Sequence, residues 1–415
     1  MAYTTALRAI LVVLCFWATQ KVTAQTYAAS AVIPTELRSL RHLFIDTASN
    51  PLAAEGGSRS VRILVHKEQS DTVRVVSNTA TNHGISFSAD GKTLFTSSLG
   101  SVTAYYYNAT AGTVGTGKVI ISACPTRAVT RHGRSSHRIP APIMIKAFCI
   151  SRAMSTAIDY VSGGEVLSWG PRNVVGMGRD LVYGGVWSVE NSMDDVRLNS
   201  KDVHNENSIE KLNYHGILND TNNKYKGANF GYPSCVAAWD TQLLGVSSLQ
   251  VGSLFKSDSI PQASDCAQRE PGRLHFHSHL APLDVKFNSN ATSVYIAFHG
   301  SWDRNPADGY RVMRVDFKNG QPVADQTSKT AQIPVIENSN IGACPNSCFR
   351  PVGLDFDVKG RLYMSSDSLG EVYKLHITLA TGSDPPREPY HKINLLPPIL
   401  RKARKLTRLR YVSYF

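Results

Sequence analysis

The sequence predicts an all-β chain folded as a six-bladed β-propeller, either complete or with one blade incomplete. One phrase carries most of that prediction: an alternating apolar strand, a tight turn and a second alternating strand. It occurs four times, at Gly84 to Ser97 around Asp90-Gly91, Val174 to Asn191 around Gly184-Gly185, Leu283 to Phe298 around Asn288-Ser289-Asn290, and Gly353 to Asp367 around Lys359-Gly360. Further strand-like runs, such as Tyr310 to Phe317, join the copies, as expected of small sheets repeated about an axis. No stretch keeps a 3.6-residue apolar period, which disfavours α/β folds. The last two copies begin 69 residues apart, at Pro282 and Pro351. That exceeds a compact blade of about 40 to 45 residues, so long loops should gather over one mouth.

In chain order, Arg8, the short apolar run Ala9 to Ala18 and the small residues around Val22-Thr23-Ala24 read as a signal peptide over residues 1–24. The apolar run is too short to span a bilayer, and no other stretch is a transmembrane candidate. A propeller domain is expected over residues 25–375, in a secreted, extracellular protein. The segment from Ile121 to Ala147 breaks the rhythm: Cys124 to Pro140 is basic and turn-rich, with no strand, turn, strand phrase, as an altered or missing segment would leave it. Residues 376–415 form a basic tail with eight Lys or Arg against two acids, half of the net charge of +12. Lacking strand alternation, the tail is read as disordered or aberrant, ahead of a membrane or anion patch or a nucleic-acid site.

Six cysteines remain beyond the leader. Cys344 and Cys348 can close a small loop and Cys235 can reach Cys266, although spacing alone does not fix the pairing. Zinc is disfavoured because the cysteines do not form two close pairs. Sequons at Asn108, Asn219 and Asn290 fit a secreted glycoprotein.

Polar residues cluster where repeated strands end. Trp169-Gly170-Pro171-Arg172-Asn173 precedes one hairpin, Glu190-Asn191 closes it, His279 precedes Pro282, His299 to Arg304 follows Phe298, and Arg350 precedes Pro351. Three arginines with histidines and the aromatic faces of Trp302 or Tyr232 suit a flat, acidic ligand. The blander alternative for Arg172 is a strand-end pair with Glu190, and for His299 a packed ring. Glu190, Asn191 and Glu210 make an oxygen-rich set suited to calcium, though not at EF-hand spacing.

These blocks, together with Glu210-Lys211-Leu212-Asn213-Tyr214-His215-Gly216, Ala228 to Pro233 and Ser365 to Tyr373, resemble the fungal pyrroloquinoline-quinone (PQQ)-dependent pyranose or L-sorbosone dehydrogenases. Those enzymes are related to the soluble quinoprotein glucose dehydrogenases. The likeness runs from about Val61 to Leu375. It implies a six-bladed propeller whose mouth holds PQQ and calcium, with hydride transfer from a pyranose or ketoaldehyde sugar to the quinone. Arg172, Asn173, His279, His299, Trp302 and Arg350 are then cofactor and pocket residues, and Arg172 also acts on the reacting edge. Glu190, Asn191 and Glu210 become the metal ligands. An external electron acceptor such as a cytochrome, a monomeric state and no nucleic-acid partner are also expected.

Two departures stand out. The block resembling Gly-His-x-Thr-Arg that carries the family's general base is missing, leaving His132 and His137 as candidate catalytic residues. Ser208-Ile209 stands where relatives tend to have glycine. The rival readings are a degenerate propeller that binds sugar or cofactor without turnover, and a protein-binding propeller.

Overall fold

The computed structural model describes residues 25–33, 37, 40–56, 61–67, 70–78, 81–98, 100–124, 144–147, 156–258, 266–368, 370–379 and 392–393. The leader, His132, His137 and nearly all of the basic tail lie outside the described residues.

Strands dominate, and the strand-turn-strand phrases become the inner halves of antiparallel sheets arranged as a propeller. The Asn173 sheet runs Asn173–Arg179, Gly185–Asn191, Ile209–Ile217 and Leu274–Ser278. The Pro282 sheet runs Pro282–Phe287, Ser293–Phe298, Arg311–Lys318 and Ile333–Asn338, extended by Lys392–Ile393 and Gln321–Pro322. In the Pro351 sheet, Pro351–Phe356, Leu362–Ser366 and Glu371–Leu379 are completed by Gln25–Ile33 from the other end of the chain. Ahead of these come the Leu40 sheet (Leu40–Ile45, Pro51–Gly56, Val61–Lys67, Ser70–Asn78) and the Thr81 sheet (Thr81–Phe87, Thr93–Ser98, Val102–Asn108, Lys118–Ser122).

The expected count of six blades is corrected by this topology: among the described residues the propeller has fewer than six. Among the described residues, the sequence between the Thr81 and Asn173 sheets supplies only Met144–Ala147 and Glu165–Trp169, which pair with each other and with the later Ala228–Asn229, besides Ile158–Asp159, which joins the Thr81 sheet. The physical reason is the basic, turn-rich text before Met144. That text lacks the alternating apolar residues by which one sheet face covers its neighbour.

Apolar residues on the sheet faces meet their neighbours, as two-layer packing requires. Trp187, Val189, Leu212 and Phe276 of the Asn173 sheet pack against Val285, Ile296, Phe298 and Val315 of the Pro282 sheet. Tyr295, Ala297 and Val312 pack in turn against Leu354, Met364 and Leu375. Inner strands approach closely at glycines: a Cβ on Gly176 would sit 2.5 Å from Asp284 Cα, and one on Gly353 would sit 2.5 Å from the Leu43 nitrogen. Side chains stitch the inner strands together. Asp284 accepts from the Leu354 N–H at 2.8 Å, Asp355 from the Ile45 N–H at 2.7 Å, and Asn191 donates to the Pro282 carbonyl at 2.7 Å.

Both proposed cysteine pairs are formed, Cys235 with Cys266 and Cys344 with Cys348. Among the described residues no helix is long and apolar enough to cross a membrane.

Candidate functional site

Antiparallel sheets repeated about an axis put the start of each inner strand and the end of the second strand at one mouth. Arg172-Asn173 and Glu190-Asn191 occupy that place in the Asn173 sheet, Pro282 and His299 in the Pro282 sheet, and Arg350 and Asp367 in the Pro351 sheet. Third strands start and fourth strands end at the same mouth, which delivers Glu210 and His279.

Arg172 does not spend its guanidinium on Glu190. Its backbone N–H donates to Glu190 Oε1 at 2.9 Å, while Nη2 lies 2.6 Å from Asp194 Oδ2 and Nη1 donates to the Ser192 carbonyl. The cation facing Glu190 is Lys211, with Nζ at 3.0 Å and both side chains almost wholly buried. Asn213 adds a 2.7 Å hydrogen bond to Glu190 Oε2. Glu190 therefore anchors the backbone from which Arg172 projects.

Glu210 plays a similar part. Its two oxygens accept the N–H groups of Ser192 at 2.7 Å and Ala281 at 3.3 Å. Burial pushes this carboxyl up to about 8, against the pull of those donors and of Arg172. Ser208 adopts the left-handed φ of 71° and hydrogen-bonds Ser192 through its hydroxyl. His279 and Ala281 share that unusual conformation, with φ of 62° and 56°. Non-glycine residues in this region concentrate at functional sites.

Beside Arg172 lies a set of ligating side chains, Asp194, His279 and Asp303, with one ligand atom of each within 4.8 Å of the others. His279 Nε2 donates to the His204 carbonyl at 2.9 Å, which leaves the Nδ1 lone pair available. Asp303 Oδ2 is buried without a hydrogen-bond partner among the described residues, and burial together with Asp194 raises the Asp303 carboxyl. A divalent cation would answer both features. Two carboxylates offer the hard oxygens calcium prefers, and backbone carbonyls and water would fill its remaining positions.

On the other side of Ala281 stands His299. Its N–H donates to the Ala281 carbonyl at 2.9 Å, its ring contacts Arg350 at 2.9 Å and Asp367 at 3.0 Å, and burial holds it below the usual histidine range. One run of hydrogen bonds thus joins Asp194, Arg172, Ser192, Glu210, Ala281, His299, Arg350 and Asp367. Trp302 stands 70% exposed, one residue before Asp303. Asn173 opens its strand opposite Asn191.

Asp194, Asp303, Asp367 and the buried Lys211 were not singled out by sequence reasoning. Asp303 and Asp367 lay inside conspicuous blocks, one directly after Trp302 and the other three residues before Gly370, whereas Asp194-Asp195 reads as an ordinary solvated loop.

Fold and site together define a propeller whose axial mouth pairs fixed guanidinium groups with a carboxylate and imidazole cluster, the equipment of a binder of acidic ligands and a divalent cation. The chain belongs to the TrAA12-like family, whose model matches residues 21–142 and 135–378. It is 35% identical over 391 residues to a pyrroloquinoline quinone-dependent sugar dehydrogenase of Hypocrea jecorina (strain QM6a), covering 85% of this chain and 88% of that one. Among solved structures, the calcium structure of the Trichoderma reesei family AA12 enzyme superposes with TM-score 0.74 at 34% identity, over 86% of this chain and 96% of the other. The holo PQQ domain of Coprinopsis cinerea pyranose dehydrogenase does so with TM-score 0.71 at 27% identity, over 86% and 98%.

Proposed function

We propose that this chain is a secreted, PQQ- and calcium-dependent dehydrogenase that oxidises a pyranose or ketoaldehyde sugar and passes the electrons to an external redox protein. The reading is carried by one observation: Arg172 and Arg350, from different sheets, are joined through a single hydrogen-bonded frame beside the Asp194, His279 and Asp303 cluster. A flat tricarboxylate next to a divalent cation requires that combination.

On this reading Asp194, Asp303 and Nδ1 of His279 hold the cation, within the frame set by Glu190 and Glu210. Arg172 and Arg350 grip ligand carboxylates, and Asn173 orients the ring. Trp302 offers its exposed face to the sugar. When bound, the quinone supplies the two-electron acceptor that no side chain provides. Arg172 would stabilise negative charge developing beside it, a role suited to a guanidinium held rigidly in a partly dry site. His132 and His137 remain the proposed proton acceptors, and the chain is proposed to act as a monomer.

Titrating calcium-loaded protein with PQQ and following the absorbance tests the reading, with a panel of aldoses and ketoaldehyde sugars added afterwards. Saturable binding followed by bleaching of the quinone with at least one sugar is expected. Absence of quinone binding refutes the proposal, and binding without reduction by any sugar replaces it with a non-catalytic binder.

A further inference from the structure

The two mouth arginines are tethered in different ways. Arg172 is paired directly with a carboxylate, Asp194, whereas Arg350 meets an imidazole. Arg350 Nη2 lies 2.9 Å from His299 Nδ1, and its Nε lies 3.4 Å from the His299 carbonyl. A guanidinium has only donors, so Nδ1 must present its lone pair. The ring proton therefore sits on Nε2 and is donated to Asp367 Oδ1 at 3.0 Å. The side chains of both His299 and Asp367 are buried, at 7% and 1% exposure.

The opposite tautomer would set an N–H against the arginine's N–H, and a doubly protonated ring would set charge against charge. Burial, Arg350 and Arg41 all disfavour the charged ring, against the pull of Asp367. Backbone contacts hold the parts in register: the Arg350 N–H donates to Ser366 Oγ at 3.0 Å and the Asp367 N–H to the Arg350 carbonyl at 3.4 Å. The neutral ring thus relays the orientation set by Asp367 to the guanidinium that its Nδ1 lone pair receives.

We infer that Asp367 is a positioning residue which, through the Nε2–H tautomer of His299, aims Arg350 at a carboxylate of the bound ligand. The identity of that ligand rests on the proposed function; the tautomer and its dependence on Asp367 do not.

The test has two arms. Two-bond nitrogen–proton spectra of 15N-histidine-labelled protein, with the His299 signals assigned by their loss in His299→Gln, should show a neutral ring protonated at Nε2 in the wild type and a changed pattern in Asp367→Ala. A wild-type ring protonated at Nδ1 or at both nitrogens overturns the inference, whether or not the quinone binds. In the second arm, PQQ dissociation constants are measured with calcium present. Asp367→Ala should weaken binding by about tenfold or more, Asp367→Asn, which keeps an acceptor oxygen, should restore most of it, and Asp367→Ala should add nothing in an Arg350→Ala background. Full additivity with Arg350→Ala overturns the inference. If the wild type fails to bind PQQ, the proposed function falls while the spectra still decide the positioning role.

Discussion

Replacing Lys211 by methionine probes the foundation of the mouth. The change keeps the apolar stem but deletes an ammonium that lies 3.0 Å from Glu190 and donates to the Phe230 carbonyl at 2.9 Å, in a pair whose side chains are 2% and 1% exposed. Breaking such a buried pair costs about 3 to 5 kcal/mol, because the remaining charge is left uncompensated. Glu190 keeps two donors, Asn213 and the Arg172 N–H, which places the expected loss near the lower end, at about 3 kcal/mol. For a domain of this size that corresponds to a fall in Tm of roughly 4 °C. Differential scanning fluorimetry and urea unfolding of the single and double variants would measure it. Adding Glu190→Gln to Lys211→Met should recover part of the loss. The buried charge is then gone, and Asn213 Oδ1, which has no hydrogen-bond partner among the described residues, can turn to accept from the new amide. A loss below about 1 kcal/mol for Lys211→Met, or a double variant as poor as the summed singles, would refute the account of this pair.

Other expectations concern the cation cluster, the buried histidine and the rim. Calcium at about 100 times its dissociation constant should stabilise the protein by about 2.7 kcal/mol, and Asp303→Asn should abolish most of that gain; an equal thermal shift in the variant would remove Asp303 from the site. His215 is buried against Ser188 Oγ at 2.8 Å, and desolvation lowers it to about 3 from 6.5. The folded state therefore keeps this ring neutral while the unfolded state takes up a proton below 6.5. Its contribution is present above pH 6.5 and lost as pH falls toward 3. His215→Gln should flatten urea-measured stability across that window, and an unchanged slope would contradict the assignment. Trp302→Ala should leave Tm within about 1 °C, since the side chain is 70% exposed, yet raise the KM for sugar several-fold. An unaltered KM would take the indole out of the substrate path.

Much of the architecture was legible because its cues are local. The phrases at Leu283 to Phe298 and Gly353 to Asp367 became paired strands, since alternation and a two- or three-residue turn determine both register and face. The number of blades was not legible, because it depends on which distant strands complete a sheet. Gln25–Ile33 joins Glu371–Leu379, and Ile158–Asp159 lies parallel to Ile121–Ser122, pairings that no local pattern announces. The site shows the same division. Arg172, Glu210, His299 and Arg350 were visible at strand ends, and the structure links them. Asp194 gave no signal, because its meeting with His279 and Asp303 is made by loops that follow the second and fourth strands of the Asn173 sheet and the second strand of the Pro282 sheet, far apart in sequence. Lys211 sat in a conspicuous block, but nothing in one sequence shows that a lysine side chain will be buried.

The pairing of Gln25–Ile33 with Glu371–Leu379 has a consequence for biosynthesis. Of the described strands, Gln25–Ile33 leaves the ribosome first and has no partner until Glu371–Leu379 arrives, so its edge waits uncovered while the other sheets assemble. Ring completion is then a late and long-range event, favouring slow maturation and making the seam the place where a chaperone, or a stray strand from another molecule, would find its opening.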